Sequence, residues 1–218
     1  MEKNASAVSV IGGADGPTSV FLLKRDQKLT LRQKMQRIKY NIKRTYVEKT
    51  LKSGGHTLDE VMAYLVKAHG FVELDKDSDE MREEYSRMRA SFLIQHAPKL
   101  LGEYAILPQL KSESQEDLWD YVRQSEERIQ KAMEISSAEF DIDFHKFQIS
   151  FDDINDNIHF LIEKRFGYIG GGASGNKKIV KRFQQLDKDI HRYYGVTEED
   201  IKTKSKRYED VVRALCRK

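Results

Sequence analysis

Cysteine is almost absent from this sequence, since Cys216, two residues from the C-terminus, is the only one in 218 residues. A single thiol cannot form an intramolecular disulfide, so a disulfide-stapled secreted fold is excluded and a reducing, cytoplasmic setting is expected. The sequence also lacks an HExxH motif and a serine elbow. We therefore expect no catalytic residues, no metal site and no cofactor, and a protein that is not an enzyme.

Long apolar runs are missing as well. The most apolar segment, residues 5–23, contains Asp15, Pro17 and three glycines, and its longest uninterrupted apolar run is Val20–Leu23. A membrane-spanning helix needs about 20 apolar residues, and a central Asp costs about 2.5–3.5 kcal/mol on insertion. With 39% hydrophobic and 33% charged residues, the sequence predicts a soluble globular protein without a membrane span.

Long stretches of the sequence have few residues of one charge sign and an excess of the other, although the net charge of the whole chain is only +3. Residues 24–55 carry a net charge of +9, residues 56–162 carry −12, and residues 163–218 carry +7. Two basic blocks of this size favour a polyanionic partner. The alternative is that the basic blocks face the acidic middle of the same chain.

The N-terminal segment contains the least random stretch of the sequence. Two short apolar runs, Val8–Ile11 and Val20–Lys24, flank Gly12–Thr18, whose Gly-Gly and Asp-Gly-Pro residues favour a tight turn. This pattern predicts a β-hairpin. The motif from Gly12 to Thr18 resembles the aspartate-bearing motif of the β subunits of sodium ion-translocating decarboxylases, which are membrane proteins. The resemblance implies a cation-handling role for Asp15, whereas the soluble chain around it favours a turn aspartate.

The rest of the chain is mostly helical in pattern. Apolar residues at spacings of three and four follow a capping residue in each segment. The predicted helices begin after Thr30, Thr57, Ser78 and Ser114, and two more cover residues 176–194 and 198 to the end. The first of them runs to Ser53 and carries one apolar stripe, in which Tyr46 is expected to belong to the core; the stripe comprises Leu31, Met35, Ile38, Ile42 and Tyr46.

The periodicity changes to two in the middle of the chain. Apolar residues alternate from Phe140 to Phe144 and again, out of phase, from Phe147 to Phe151, which predicts strand structure with a bulge or bend near His145-Lys146. A helix is predicted for residues 153–166, and the glycine-rich residues 167–175 are predicted to form a loop. Asp141, Asp143 and His145 share a strand face. Either they bind a metal ion, or the face is simply exposed to solvent.

These elements predict an α+β fold that is predominantly α-helical, with an N-terminal β-hairpin, a helical bundle and a small central β element. The expected division is a hairpin segment at residues 1–28, a helical domain at 29–135, and a β element with C-terminal helices at 136–218. The second and third ranges together also suit one compact domain.

The first predicted helix is strongly basic, with Glu48 as its only acidic residue. A helix with charge of one sign faces an anion, which is nucleic acid, a membrane surface or the acidic middle of this chain. Tyr40 and Tyr46 offer aromatic rings for stacking. The candidate polyanion-binding residues of this helix are Arg32, Arg37, Lys39, Lys43 and Arg44.

A second basic group lies near the C-terminus. Residues 193–202, with Lys204-Ser205-Lys206-Arg207 after them, resemble the start of the DNA-binding domain of bacterial chromosomal replication initiators. The resemblance implies phosphate contacts by Lys204, Lys206 and Arg207, while Tyr208-Glu209-Asp210 departs from that family and the base-reading helices are missing.

The sequence as a whole predicts a non-enzymatic binding protein with nucleic acid or another polyanion as partner. The alternatives are a protein-interaction module, through a protein partner or a homo-oligomer, and a protein related to the decarboxylase β subunits by its N-terminal motif alone, without transport activity.

Overall fold

The computed structural model describes residues 7–13, 16–23, 30–110, 112, 114–151 and 156–217. Its fold is α+β and predominantly helical, with a four-stranded antiparallel sheet. The chain divides into two compact units: the first comprises Met1–Lys28 and Lys76–Ile142, and the second comprises Leu29–Asp75 and Asp143–Lys218.

The elements follow one another along the chain as follows. The strands are β1 (Ala7–Gly13), β2 (Gly16–Leu23), β3 (Val72–Glu73), β4 (Phe144–Ser150), β5 (Asn157–Glu163) and β6 (Tyr168–Ser174). The helices are α1 (Leu31–Thr50), α2 (Leu58–His69), α3 (Asp79–His96), α4 (Gln115–Glu134), α5 (Lys177–Tyr194), α6 (Glu198–Thr203) and α7 (Lys206–Cys216), with a 3-10 helix at Pro98–Ala105.

Strands β1 and β2 pair antiparallel, with a register shift between Val10 and Gly12. Both strands are longer than predicted, because the glycines at their facing ends also take part in the pairing, as in the pair Gly13 and Gly16. Asp15, and with it the predicted turn aspartate or cation site, lies outside the described residues.

Helices α3 and α4 begin where their capping residues predicted. The hydroxyl oxygens of Ser78 and Ser114 each accept a hydrogen bond from the backbone N–H three residues later. Inside the first unit a small core forms around Ala90, Leu93, Leu101 and Ala132.

The second unit holds the larger core. Its sheet has the order β3-β4-β5-β6, and the core contains residues of α2, α5 and α7 beside those of β4 and β5. Because Leu58, Val61 and Leu65 of α2 are part of that core, residues 29–75 group with 143–218 rather than with the helical range 29–135 expected from sequence.

The prediction of a helix over residues 153–166 is wrong, because residues 157–163 form β5. This strand is paired on both sides, to β4 and to β6, and its Ile158, Phe160 and Ile162 are fully buried. A central strand that is covered on both faces has a nearly continuous apolar sequence. Leu161 is three residues after Ile158, and this spacing is also typical of one face of a helix.

The predicted glycine-rich loop is also wrong, because Tyr168–Ser174 is the edge strand β6. A Cβ atom on Gly171 would lie 2.5 Å from the carbonyl oxygen of His159. Glycine is therefore needed here for close approach of two strands rather than for flexibility.

Strand β4 contains no bulge. Its pairing with β5 is uninterrupted from Phe144 opposite Glu163 to Ser150 opposite Asn157, so the bulge predicted near His145 is wrong. The out-of-phase alternation arises because residues 140–143 precede the strand and only Phe144–Ser150 belongs to it. The predicted C-terminal helix is likewise two helices, since Lys204 has a positive φ of 53° and ends α6.

The end of α1 is tied to the end of α5 by backbone hydrogen bonds. The N–H of Gly54 donates to the carbonyl of Val196 at 2.9 Å, and the N–H of His56 donates to that of Tyr194 at 2.9 Å. Gly195 has a φ of 57°, and a Cβ atom there would lie 2.7 Å from the carbonyl oxygen of Gly54. Only glycine combines a favourable positive φ with the absence of a Cβ atom. We call this place, where residues 54–56 bond to residues 194–196, the crossing, and it fixes where the end of α1 meets the end of α5.

Candidate polyanion-binding surface

Helix α1 begins with a complete capping box. The hydroxyl oxygen of Thr30 accepts from the N–H of Gln33 at 3.2 Å, and the Gln33 side-chain oxygen accepts from the N–H of Thr30 at 2.8 Å. The helix ends at Thr50, three residues before the predicted end, and contains no buried residue. Its first turns, from Leu31 to Ile42, are exposed throughout.

The apolar stripe of α1 is exposed, and the prediction that Tyr46 belongs to the core is wrong, because its side chain is 68% exposed. Leu31 is 82% exposed and Ile42 is 66% exposed, with Met35 and Ile38 each more than half exposed. The helix instead packs through Val47 and Leu51, which lie on the other side of its axis and contact the core. The spacing of apolar residues identifies the stripe, but it does not show which face of the helix packs against the rest of the protein.

Two of the predicted binding residues of α1 anchor it to α7. The Lys43 ammonium donates to the carbonyl of Arg217 at 2.9 Å and to that of Cys216 at 3.1 Å, and so caps the end of α7. The Arg44 guanidinium donates to both oxygens of Glu209 at 2.8 and 2.9 Å and to Glu48 at 2.9 Å. These carboxylates raise the pKa of Arg44.

The other predicted binding residues of α1 lie on two different sides of the helix. Residues separated by three, four or seven positions share a face at 3.6 residues per turn. Arg37 falls on the side of Arg44, while a second set runs along one side from the exposed first turn to the packed last turn. We call this set the basic face: Arg32, Lys39, Lys43, Tyr46 and Thr50. It is about 27 Å long at 1.5 Å per residue.

The basic face leads into a cleft between α1 and α5. The cleft has a volume of about 480 Å³, which is within the usual range of ligand sites. Four of its lining residues are cationic, none is acidic, and apolar side chains such as Leu215 also line it. We call it the basic cleft, and its cations are Lys43, Lys52, Lys188 and Arg192.

Among the described residues no carboxylate lies within ion-pair distance of Lys52, Lys188 or Arg192. Burial lowers the pKa of Lys43, and the nearby positive charges of Lys188 and Arg192 lower it further. Like charges held together in this way bind an anion favourably.

Lys188 and Arg192 are the residues that sequence reasoning missed. They are four residues apart and therefore lie on one side of α5. That spacing was readable from the sequence, but their position opposite Lys43 depends on the crossing at Gly54 and Gly195, which is a tertiary feature.

The C-terminal candidates have structural contacts. Arg207 donates to the carbonyls of Gly195 and His56 at 2.9 and 2.8 Å, also to that of Tyr194, and its guanidinium stacks 3.9 Å from the Tyr194 ring centroid. It therefore holds the crossing together, because its guanidinium is engaged by backbone carbonyls and by the Tyr194 ring.

Lys204 and Lys206 also have neighbours within the protein. The Lys204 ammonium donates to the Tyr208 hydroxyl at 2.7 Å and lies 4.0 Å from the centre of its ring. Lys206 pairs with Asp210 at 3.2 Å. None of Lys204, Lys206 and Arg207 is among the residues that line the basic cleft.

The strand residues suggested as metal ligands do not form a shared site. His145 contacts Glu73 at 2.6 Å through Nδ1 and Asp143 at 3.1 Å through Nε2, so the two carboxylates lie at opposite edges of its ring. Asp141 instead accepts a hydrogen bond from Tyr85. In the part of the chain that the structure describes, no group of three or more His, Cys, Asp or Glu is arranged to hold a metal ion.

Comparison with known proteins provides no relative. No family model matches the chain, and neither the curated proteins nor the solved structures searched include a match to it. None of the helices in the described ranges is both long enough and apolar enough to cross a membrane.

Proposed function

We propose that this chain is a non-enzymatic cytoplasmic protein that binds nucleic acid through the basic face of α1 and the basic cleft. The observation that carries the proposal is the cleft, where Lys52, Lys188 and Arg192 have no carboxylate in ion-pair distance among the described residues. Phosphate neutralises such clusters and releases counterions, which gives affinity without base-specific contacts.

The shape of the surface favours a single strand. Three cations of the basic face follow one side of α1 for about 16 Å, from Arg32 to Lys43. Tyr46, which is 68% exposed, lines the cleft beyond them. A basic groove with an accessible aromatic ring is typical of proteins that bind single-stranded nucleic acid by phosphate contact and base stacking.

Fluorescence anisotropy with a labelled single-stranded oligonucleotide tests the proposal. We expect binding that weakens steeply with salt, and a double variant Arg32→Glu/Lys39→Glu whose log K against log salt slope is smaller by about 1.4, as expected for two phosphate contacts. The matched control is Lys177→Glu/Lys178→Glu, which changes the net charge equally at the distant start of α5. No binding at low salt, or equal losses in both variants, contradicts the proposal.

A second candidate function is self-assembly, and the exposed apolar stripe of α1 favours it. Leu31, Met35, Ile38 and Ile42 would be covered by a second copy of this chain, whose residues 56–162 carry the opposite net charge of −12. Light scattering at increasing protein concentration would then give an oligomer that dissociates with salt and is lost in Met35→Ser/Ile38→Ser. A monomer at all concentrations excludes it.

A further inference from the structure

We propose that the basic cleft is a discrete site for one nucleotide unit, with the phosphate between Lys188, Arg192 and Lys52 and the base against Tyr46. The inference deepens the proposed function, because the cleft is the inner end of the same basic face. It goes beyond the proposed function because it predicts that the cleft binds a single nucleotide even when no nucleic-acid strand lies along α1.

The cations surround the cleft from three separate segments. Lys188 and Arg192 come from α5, Lys52 follows the end of α1, and Lys43 comes from its middle. The cleft is anchored where Gly54 and Gly195 cross, so these segments are held in place before any ligand binds. A site prearranged in this way loses little entropy on binding a compact dianion.

Lys43 contributes without giving up its structural contacts. An ammonium has three N–H donors, and two of those of Lys43 are directed to the carbonyls of Cys216 and Arg217. The third donor is left for an anion in the cleft that Lys43 lines. Bound phosphate would also relieve the repulsion that Lys188 and Arg192 exert on it.

The remaining lining suits a planar ring. The exposed Tyr46 and the apolar Val47, Leu51 and Leu215 line the same cleft as the cations. Its volume of about 480 Å³ is larger than a phosphate alone requires. A phosphate group joined to an aromatic base therefore matches both the charge and the apolar part of the cleft, whereas inorganic phosphate matches only the first.

Calorimetric titration with adenosine 5′-monophosphate, adenosine and inorganic phosphate tests the inference. We expect the monophosphate to bind most tightly and adenosine most weakly. The variant Lys188→Gln/Arg192→Gln should weaken monophosphate binding by about tenfold or more, because each lost partner is a charge-assisted hydrogen bond. Tyr46→Ala should weaken it by about tenfold and Tyr46→Phe should not, since Phe keeps the stacking ring. Circular dichroism checks that each variant is folded.

The nucleotide unit is either the end of a strand or a free nucleotide. Binding of two short single strands, one with a 5′-phosphate and one without, distinguishes these two sources. Tighter binding of the phosphorylated strand identifies a strand terminus, and equal binding of the two strands with tight monophosphate binding identifies a free nucleotide. Absence of monophosphate binding, or binding unchanged in Lys188→Gln/Arg192→Gln, overturns the inference. If the oligonucleotide still binds in a salt-dependent manner, the proposed function stands; if neither ligand binds, both fail.

Discussion

Arg207 shows that the role of a basic residue depends on its surroundings. The sequence placed it in a run of cations that resembles a phosphate-contacting loop, yet its guanidinium bonds backbone carbonyls on both sides of the crossing and stacks on Tyr194. The planar fork of arginine donates to several acceptors while its face stacks on an aromatic ring, a geometry that the ammonium of lysine does not reproduce.

We therefore expect Arg207→Lys to destabilise the protein by about 2 kcal/mol, because carbonyls at the crossing lose charge-assisted hydrogen bonds. Urea unfolding followed by circular dichroism measures the change. Lys206→Gln, the neighbouring residue with an exposed ion pair, serves as the control and should change stability by less than about 1 kcal/mol. Loss of oligonucleotide affinity at unchanged stability in Arg207→Lys would instead support the phosphate contact.

At the scale of elements, capping residues were the most reliable signals. Thr30, Thr57, Ser78 and Ser114 each precede a helix as predicted, because a cap is a local hydrogen-bond arrangement that depends on few neighbours. Strand β5 was mistaken for a helix because its burial depends on strands and helices distant in sequence, and short apolar runs look alike in both structures.

The two sides of α1 predict unequal effects of charge reversal. Lys39 lies on the basic face, whereas Arg37 lies on the side of Arg44 and away from the cleft. Lys39→Glu should therefore weaken oligonucleotide binding several-fold more than Arg37→Glu, although both change the net charge equally. Anisotropy titrations in parallel measure the difference. Identical losses would mean that the whole helix acts as an undirected positive charge.

At the scale of the whole molecule, the sequence predicted the fold class but not the grouping of its segments. The charge asymmetry marks the basic block that contains α1, but the cleft also needs Lys188 and Arg192, which lie far along the chain. The sequence does not predict this arrangement, because the arrangement depends on the pairing of residues 53–56 with residues 194–196, which are distant in sequence.

Acid should destabilise the protein through at least two carboxylates. Burial alone would raise the pKa of Asp143 and Asp200, but the charges of His145 and Lys164 lower that of Asp143, and hydrogen bonds from Ser205 and Thr197 lower that of Asp200, both below the usual 3.8. A lowered folded-state pKa contributes stability that is present above the unfolded value and lost as the pH falls through the folded one.

The free energy of unfolding, measured with urea from neutral pH downward, should therefore fall below a pH of about 4. In Asp143→Asn this fall should be less steep, because one of the two linked protonations is gone. An unchanged slope in that variant would show that Asp143 is not linked to folding.

The most direct test of the account is to map where nucleic acid contacts the protein. Backbone amide chemical shifts should be recorded while a short single-stranded oligonucleotide is added at low salt. We predict that the largest changes fall on Arg32, Lys39, Lys43 and Tyr46 of α1 and on the residues from Lys188 to Gly195, and that they disappear at high salt. No shift changes at low salt, or changes confined to α3 and α4, would contradict the proposal that this surface binds nucleic acid.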